Sequence, residues 1–171
     1  MKLNALFRRR PDDRPFALYD ALVTQARDPA WYRLGLPDTV DGRFDALATV
    51  VCAALLRIEQ EPGDAARLLG VRLTELFIGN MDSELRQLGT GDMVVGKNVG
   101  KLVGQLGGRL GALRQEGATD AFVARNMLRD ADAGPERTRP LVALVEDWRA
   151  RLARSSMAEL AKGRLASGTG S

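Results

Sequence analysis

Residues 80–113 read NMDSELRQLGTGDMVVGKNVGKLVGQLGGRLGAL, with glycine at 96, 100, 104 and 108. A glycine inside a helix costs about 0.8–1 kcal/mol relative to alanine, so this row removes roughly 3–4 kcal/mol of local helix stability. At about 100° per residue, Gly96, Gly100, Gly104, Gly107, Gly108 and Gly111 gather on one side, within roughly 120°. Val99, Leu102, Val103, Leu106, Leu110 and Leu113 occupy the adjoining arc. Lys97 and Lys101 border the glycines, and Gln105 and Arg109 fill the remaining polar face. The reading is a helix from Asp92 or Met93 to about Gln115 with two working surfaces. Its leucine-valine stripe enters a core, and its glycine side lets a second helix backbone come close, as small-residue rows do between membrane helices. That neighbour is either the buried helix of this chain containing Val50, Ala53 and Ala54 or an apolar helix of another molecule.

Working outward, the rest of the chain also carries helical periodicity. ALATVVCAALL, Ala46 to Leu56, is uncharged and apolar on all sides, the pattern of a helix at the centre of a bundle. Asp41 is placed to cap that helix, which runs from about Gly42 to Gln60 and stops before Pro62-Gly63. Phe16, Tyr19, Leu22 and Val23 stripe an earlier helix reaching Ala26. AWYRLGLPDTVDG then reads as an ordered loop or short turn that buries Trp31 and Tyr32. Asp64 starts a third long helix, with Leu73, Phe77, Met81, Leu85 and Leu88 along one side. Further helices are expected from Thr119 to about Asp130 and from about Glu136 to Lys162. No alternating Val, Ile or Thr runs occur, so the fold class is all-α: one bundle of about six helices. The expected organisation is a basic arm over 1–15, a helical domain over 16–163 and a disordered tail over 164–171.

Composition narrows the function. The chain has 171 residues, 45% of them hydrophobic, which suffices for one core. It has no histidine and a single cysteine, Cys52, set in the apolar run. The commonest general base, the commonest transition-metal ligand and any internal disulfide are thereby excluded. No uncharged run approaches the ~20 residues of a membrane span. MKLNALFRRR is too short and interrupted for a secretory signal, so a cytoplasmic location is expected, including the inner face of a membrane. Arg8, Arg9 and Arg10, beside Leu3, Leu6 and Phe7, suit contact with an anionic membrane surface or a ribosome; a disordered basic tail is the alternative. Aromatic residues make up only 5%, and no dedicated nucleic-acid site is expected.

Two motifs need weighing. GDMVVGKN, Gly91 to Asn98, approaches a phosphate-binding loop, but Asn98 stands where a hydroxyl should hold magnesium, and the preceding segment is helical rather than a strand. Asp82 and Arg86 are spaced for an i, i+4 pair. Glu84 falls on the apolar side of its helix and needs a cationic partner, with Lys97, Lys101 or Arg109 available. Acid-base work by Glu84 with Asp82 or Asp92 has neither nucleophile nor metal to serve, so no catalytic residue, cofactor or metal is expected.

WYRLGLPDTVDGRFDAL, Trp31 to Leu47, and FIGNMDSELRQLGTGDMVVGKNVGKLVGQLGGRLGAL, Phe77 to Leu113, resemble two blocks of the ubiquinol-cytochrome c chaperone family. The second is similar to its M-D-x-x-L-R-x-x-G-x-G-D-x-x-V-G-K signature, here Met81, Asp82, Leu85, Arg86, Gly89, Gly91, Asp92, Val95, Gly96 and Lys97. Leu106 to Arg109 depart from the family's F-Y-G-R, and the histidines common after its F-D pair are missing, as in a divergent bacterial member. The resemblance implies a non-enzymatic helical chaperone that binds newly made cytochrome b and assists its assembly into the respiratory bc1 complex. In mitochondria it works with a small helical co-chaperone near the ribosome. On that basis Gly96, Lys97, Gly100, Lys101, Gly104, Gly108 and Arg109 are expected to meet cytochrome b or another nascent membrane subunit. Asp82, Arg86, Gly89 and Asp92 serve the signature structurally, and Arg8, Arg9 and Arg10 reach membrane or ribosome.

Overall fold

The computed structural model describes residues 14–87 and 95–168. Within them lie eight helices and no strand: α1 (Arg14–Ala26), α2 (Pro29–Arg33), α3 (Val40–Glu59), α4 (Asp64–Gln87), α5 (Val95–Glu116), α6 (Asp120–Asn126), α7 (Pro135–Arg154) and α8 (Met157–Leu160). The uncharged run of α3 is buried throughout from Ala46 to Leu55, because α1, α4, α5 and α7 all pack on it. Around this axis α4 also touches α1 and α5, while α6 joins α5 to α7. Phe77, Phe122, Trp148, Leu18, Leu73 and Leu141 fill the space between the surrounding helices and α3.

Local chemistry sets the helix ends. The aromatic segment forms the short helix α2, whose Trp31 Nε1 donates to the Gln25 carbonyl at 2.9 Å and whose Tyr32 hydroxyl donates to the Ala26 carbonyl at 3.1 Å. At the C-terminus of α1 the Ala26 carbonyl and the Gln25 carbonyl, which also accepts from the Asp28 N–H at 3.2 Å, thus gain side-chain donors. Trp31 is fully buried; Tyr32, expected inside, is only half-buried. Thr39, rather than Asp41, caps α3: its hydroxyl accepts from the Gly42 N–H at 3.1 Å with extended backbone. Asp41 lies one residue inside the helix, in the first turn, where it pairs with Arg129. Gly42 is required by space, since a Cβ there would sit 1.8 Å from the Pro37 carbonyl oxygen.

The expected long final helix is broken. Ser155 ends α7, its Oγ donating to the Arg151 carbonyl at 3.0 Å. Ser156 then opens α8 with a reciprocal capping box to Glu159. Gly163, at φ +67°, turns the chain back; a Cβ there would meet the Ala17 carbonyl of α1 at 2.3 Å. The returning segment is held by Arg151 Nε on the Ala166 carbonyl at 2.9 Å and Arg154 Nη2 on the Ser167 carbonyl at 3.0 Å. Hydrogen-bonded chain therefore extends past the 163 expected, as far as these residues.

Cys52 is fully buried and donates to the Leu106 carbonyl at 3.7 Å. Burial pushes its thiol up to about 12, so the nucleophilic thiolate is negligible at neutral pH. The fit at the start of α3 is the tightest found at any described glycine. Gly42→Ala should destabilise the protein by about 1–3 kcal/mol through overpacking against Pro37, read as a lowered urea midpoint.

Candidate functional site

The two surfaces of α5 separate only in part as the angular reading requires: Val103, expected in the core-facing stripe, is exposed instead. Leu102, Leu106 and Leu113 are buried against the core, and Val99 and Leu110 are half-buried. On the other side, a Cβ added at Gly100, Gly104, Gly107, Gly108 or Gly111 would meet no described atom within 4 Å. Val50, Ala53 and Ala54 of α3 are buried, but not under these glycines. Of the two candidate neighbours, the internal one is therefore absent among the described residues. The glycines form an open strip, bordered by exposed Lys101 and by Val103 at 52% exposure.

Arg109 lies elsewhere than expected. It is 6% exposed, and its Nη2 donates to Asp45 Oδ1 at 2.7 Å and to the Asn126 carbonyl at 2.6 Å. The guanidinium also lies 5.7 Å from the centre of the Phe44 ring, whose own centre is 6.0 Å from that of Phe77 with the planes tilted by 43°. Burial pulls its pKa below the ordinary arginine value, and the Asp45 carboxylate opposes that pull. Its predicted place on the polar face is corrected to the core side. The angular position of Arg109 differs from that of Leu102 by only about 20°, and 102, 106, 109, 113 is itself a helical stripe spacing.

Asp45 is the residue that sequence reasoning missed. Only 1% exposed, it holds two arginines: Arg109 from α5, and Arg129 from the turn after α6, whose Nε reaches Oδ2 at 2.7 Å. Arg129 further pairs with Asp41 at 3.0 Å and adopts φ +52°, a left-handed backbone uncommon for arginine. The hydrogen bond to Asp45 raises its pKa. A signal was present: Asp45 is the one charge at the head of a run that is otherwise apolar on every side, and a carboxylate there must find a cation.

Between the glycine strip and α6 lies a shallow depression of about 410 Å³ that is largely open to solvent. Gly104, Gln105 and Gly108 form its α5 wall, Arg125, Asn126 and Arg129 the α6 side, and Asp45 and Arg109 line it as well. Among the described residues no helix is long and apolar enough to cross a membrane. Gly96 and Lys97 fall in the first turn of α5, but the Lys97 side chain is outside the described residues. So are Gly89, Asp92, Arg8, Arg9, Arg10 and the side chains of Glu84 and Arg86. Asp82 is half-buried near the end of α4.

Truncating one member of the cluster leaves a buried charge alone. Asp45→Ala should destabilise the fold by about 3–5 kcal/mol. The double variant Asp45→Ala/Arg109→Met, which removes both charges, should recover most of that loss in the same urea titration.

A model of the ubiquinol-cytochrome C chaperone family matches residues 32–167, spanning α3 to α8 with Asp45, the glycine strip and Arg129. No curated protein matches the chain significantly. Among solved structures, the crystal structure of the Cbp3 homolog from Brucella abortus superposes with a TM-score of 0.77 at 30% sequence identity, covering 96% of each chain. With a family match over most of its length and a common all-helical fold, this chain belongs to the ubiquinol-cytochrome C chaperone family.

Proposed function

We propose that this protein is an assembly chaperone for the bc1 complex that receives an apolar helix of newly made cytochrome b on the glycine strip of α5. The carrying observation is that this strip, costly to helix stability, has no described neighbour within its own chain. Bare backbone at Gly100, Gly104, Gly107 and Gly108 lets another helix approach to short interaxial distance, and Val103 supplies apolar contact beside it. Lys101 borders the strip and meets acidic or carbonyl groups at the end of the docked helix. Burial of a few hundred Å² at about 25 cal/mol/Å² supplies several kcal/mol before association costs, which suits a client that must be released. Membership of a chaperone family supports a binding role over catalysis. The arm with Arg8, Arg9 and Arg10 keeps the complex near an anionic membrane surface or the ribosome.

The test is residue-specific. Gly100→Leu and Gly104→Leu should abolish co-purification of cytochrome b and lower bc1 content in cells, while the thermal transition survives because the new side chains point into open space. Alanine at the same positions should raise stability by about 0.5–1 kcal/mol each. Normal bc1 content in a deletion strain, with no cytochrome b captured by the wild-type chain, would refute the proposal.

A further inference from the structure

We propose that residues 1–10 of this chain dock along the exposed face of α4, with Leu3, Leu6 and Phe7 covering Leu68 and Val71. Leu68 and Val71 are each 50% exposed, although they sit inside a long helix. At about 100° per residue, Asp64, Leu68, Val71 and Glu75 share an arc of roughly 60°, opposite the buried stripe of Ala66, Leu73, Phe77 and Met81. Along the helix this face reads acid, apolar pair, acid. Arg67, at one border, is held by Asp64 at 2.8 Å, and Arg72 lies at the other. Glu75 is exposed and forms no ion pair among the described residues.

The chain enters the bundle beside this face. α4 runs antiparallel to α3: a Cβ on Gly70 would lie 3.6 Å from Ile58 near the end of α3, while the Phe77 ring centre is 6.0 Å from that of Phe44 near its start. α1 is traced to the same end through the C-terminal segment. Arg57, in the last turn of α3, donates to the Ser155 carbonyl at 3.3 Å. Ser155 Oγ accepts from the Ala166 N–H at 2.9 Å, and Gly163, between the two in sequence, lies against the Ala17 carbonyl. Gln25, further along α1, meets Arg151, one turn back along α7. Since α1 also packs on α4, the beginnings of both helices stand at one pole of the molecule.

Residues 1–13 lie before α1, outside the described residues, and their sequence carries the complementary pattern. Leu3, Leu6 and Phe7 have the spacing of one helical stripe, with Lys2 before them and Arg8, Arg9 and Arg10 after. Pro11 and Pro15 favour a bend in the connection, which also holds Asp12 and Asp13. Followed backward from Arg14, the arginines meet Asp64, the apolar stripe meets Leu68 and Val71, and Lys2 meets Glu75. At 1.5 Å per residue, Asp64 to Glu75 spans about 16 Å and residues 2–10 about 12 Å, a difference that long basic side chains cover. Proximity decides between this occupant and a free partner, because a short tether supplies an effective concentration of about millimolar. Contact of Arg8, Arg9 and Arg10 with an anionic surface draws on the same side chains and so competes with docking on α4.

Maleimide labelling of a Val71→Cys variant of the full chain reads the coverage, with Ala143→Cys on the exposed side of α7 as the open reference. A face covered nine-tenths of the time labels roughly tenfold more slowly, and that ratio is expected at neutral pH and low salt. Leu3→Ser/Leu6→Ser/Phe7→Ser should bring Val71→Cys up to the rate of the reference without altering the circular dichroism. Glu75→Lys should raise it severalfold. Equal rates for the two cysteines with the native arm would overturn the proposal. Protection that survives the triple serine variant would also overturn it, and protection that then grows with protein concentration would assign the face to a second copy. These outcomes are independent of the glycine strip on α5, which none of the variants touches.

Discussion

The bidentate hold of Asp45 on Arg109 and Arg129 is the interaction on which the rest of the arrangement depends. It joins the first turns of α3 to the middle of α5 and to the turn after α6, three segments that are distant in sequence. The leucine stripe of α5 alone would tolerate some rotation about the helix axis, because apolar packing is weakly directional. A guanidinium fixed at 2.7 Å to a buried carboxylate does not. With Arg109 turned inward, Gly100, Gly104 and Gly107 are turned outward. Burying such a pair is a poor source of net stability, and its value here is orientation.

That orientation gives the glycine row its meaning. Interior glycines weaken a helix, and the usual compensation is a close helix neighbour in the same molecule. Among the described residues the chain supplies none, and the proposed docking of a client helix is what would compensate. The proposed role fits such a surface, since a client-binding face has to be stable when empty and covered when in use.

Much of the fold was legible in the sequence because it follows from local periodicity. The uncharged run Ala46–Leu56 marked the central helix, and the leucines of α5 turned to the core as the 3.6-residue period requires, while Val103 of the same arc stayed exposed. The ends were less legible. Thr39 and Asp41 are both good caps, and the choice was made by Gly42, which must lie against the Pro37 carbonyl. The break at Ser155 follows from a capping box at Ser156 and Glu159 that competes with helix continuation. The ion cluster was the least legible part. Asp45 and Arg109 lie 64 positions apart, and a boundary residue on a helical wheel can turn either way until its partner is known. The family resemblance carried by Trp31–Leu47 and Phe77–Leu113 reached the right class, but not the internal role of Arg109.

The central claim is that the glycine face of α5 is open in the free chain and covered by the client. Maleimide labelling of a Gly104→Cys variant measures it directly, with buried Cys52 as the unreactive reference thiol. The account predicts rapid labelling of the free protein and at least tenfold slower labelling in its complex with cytochrome b. Labelling of the free variant as slow as that of Cys52, or an unchanged rate in the complex, would contradict it.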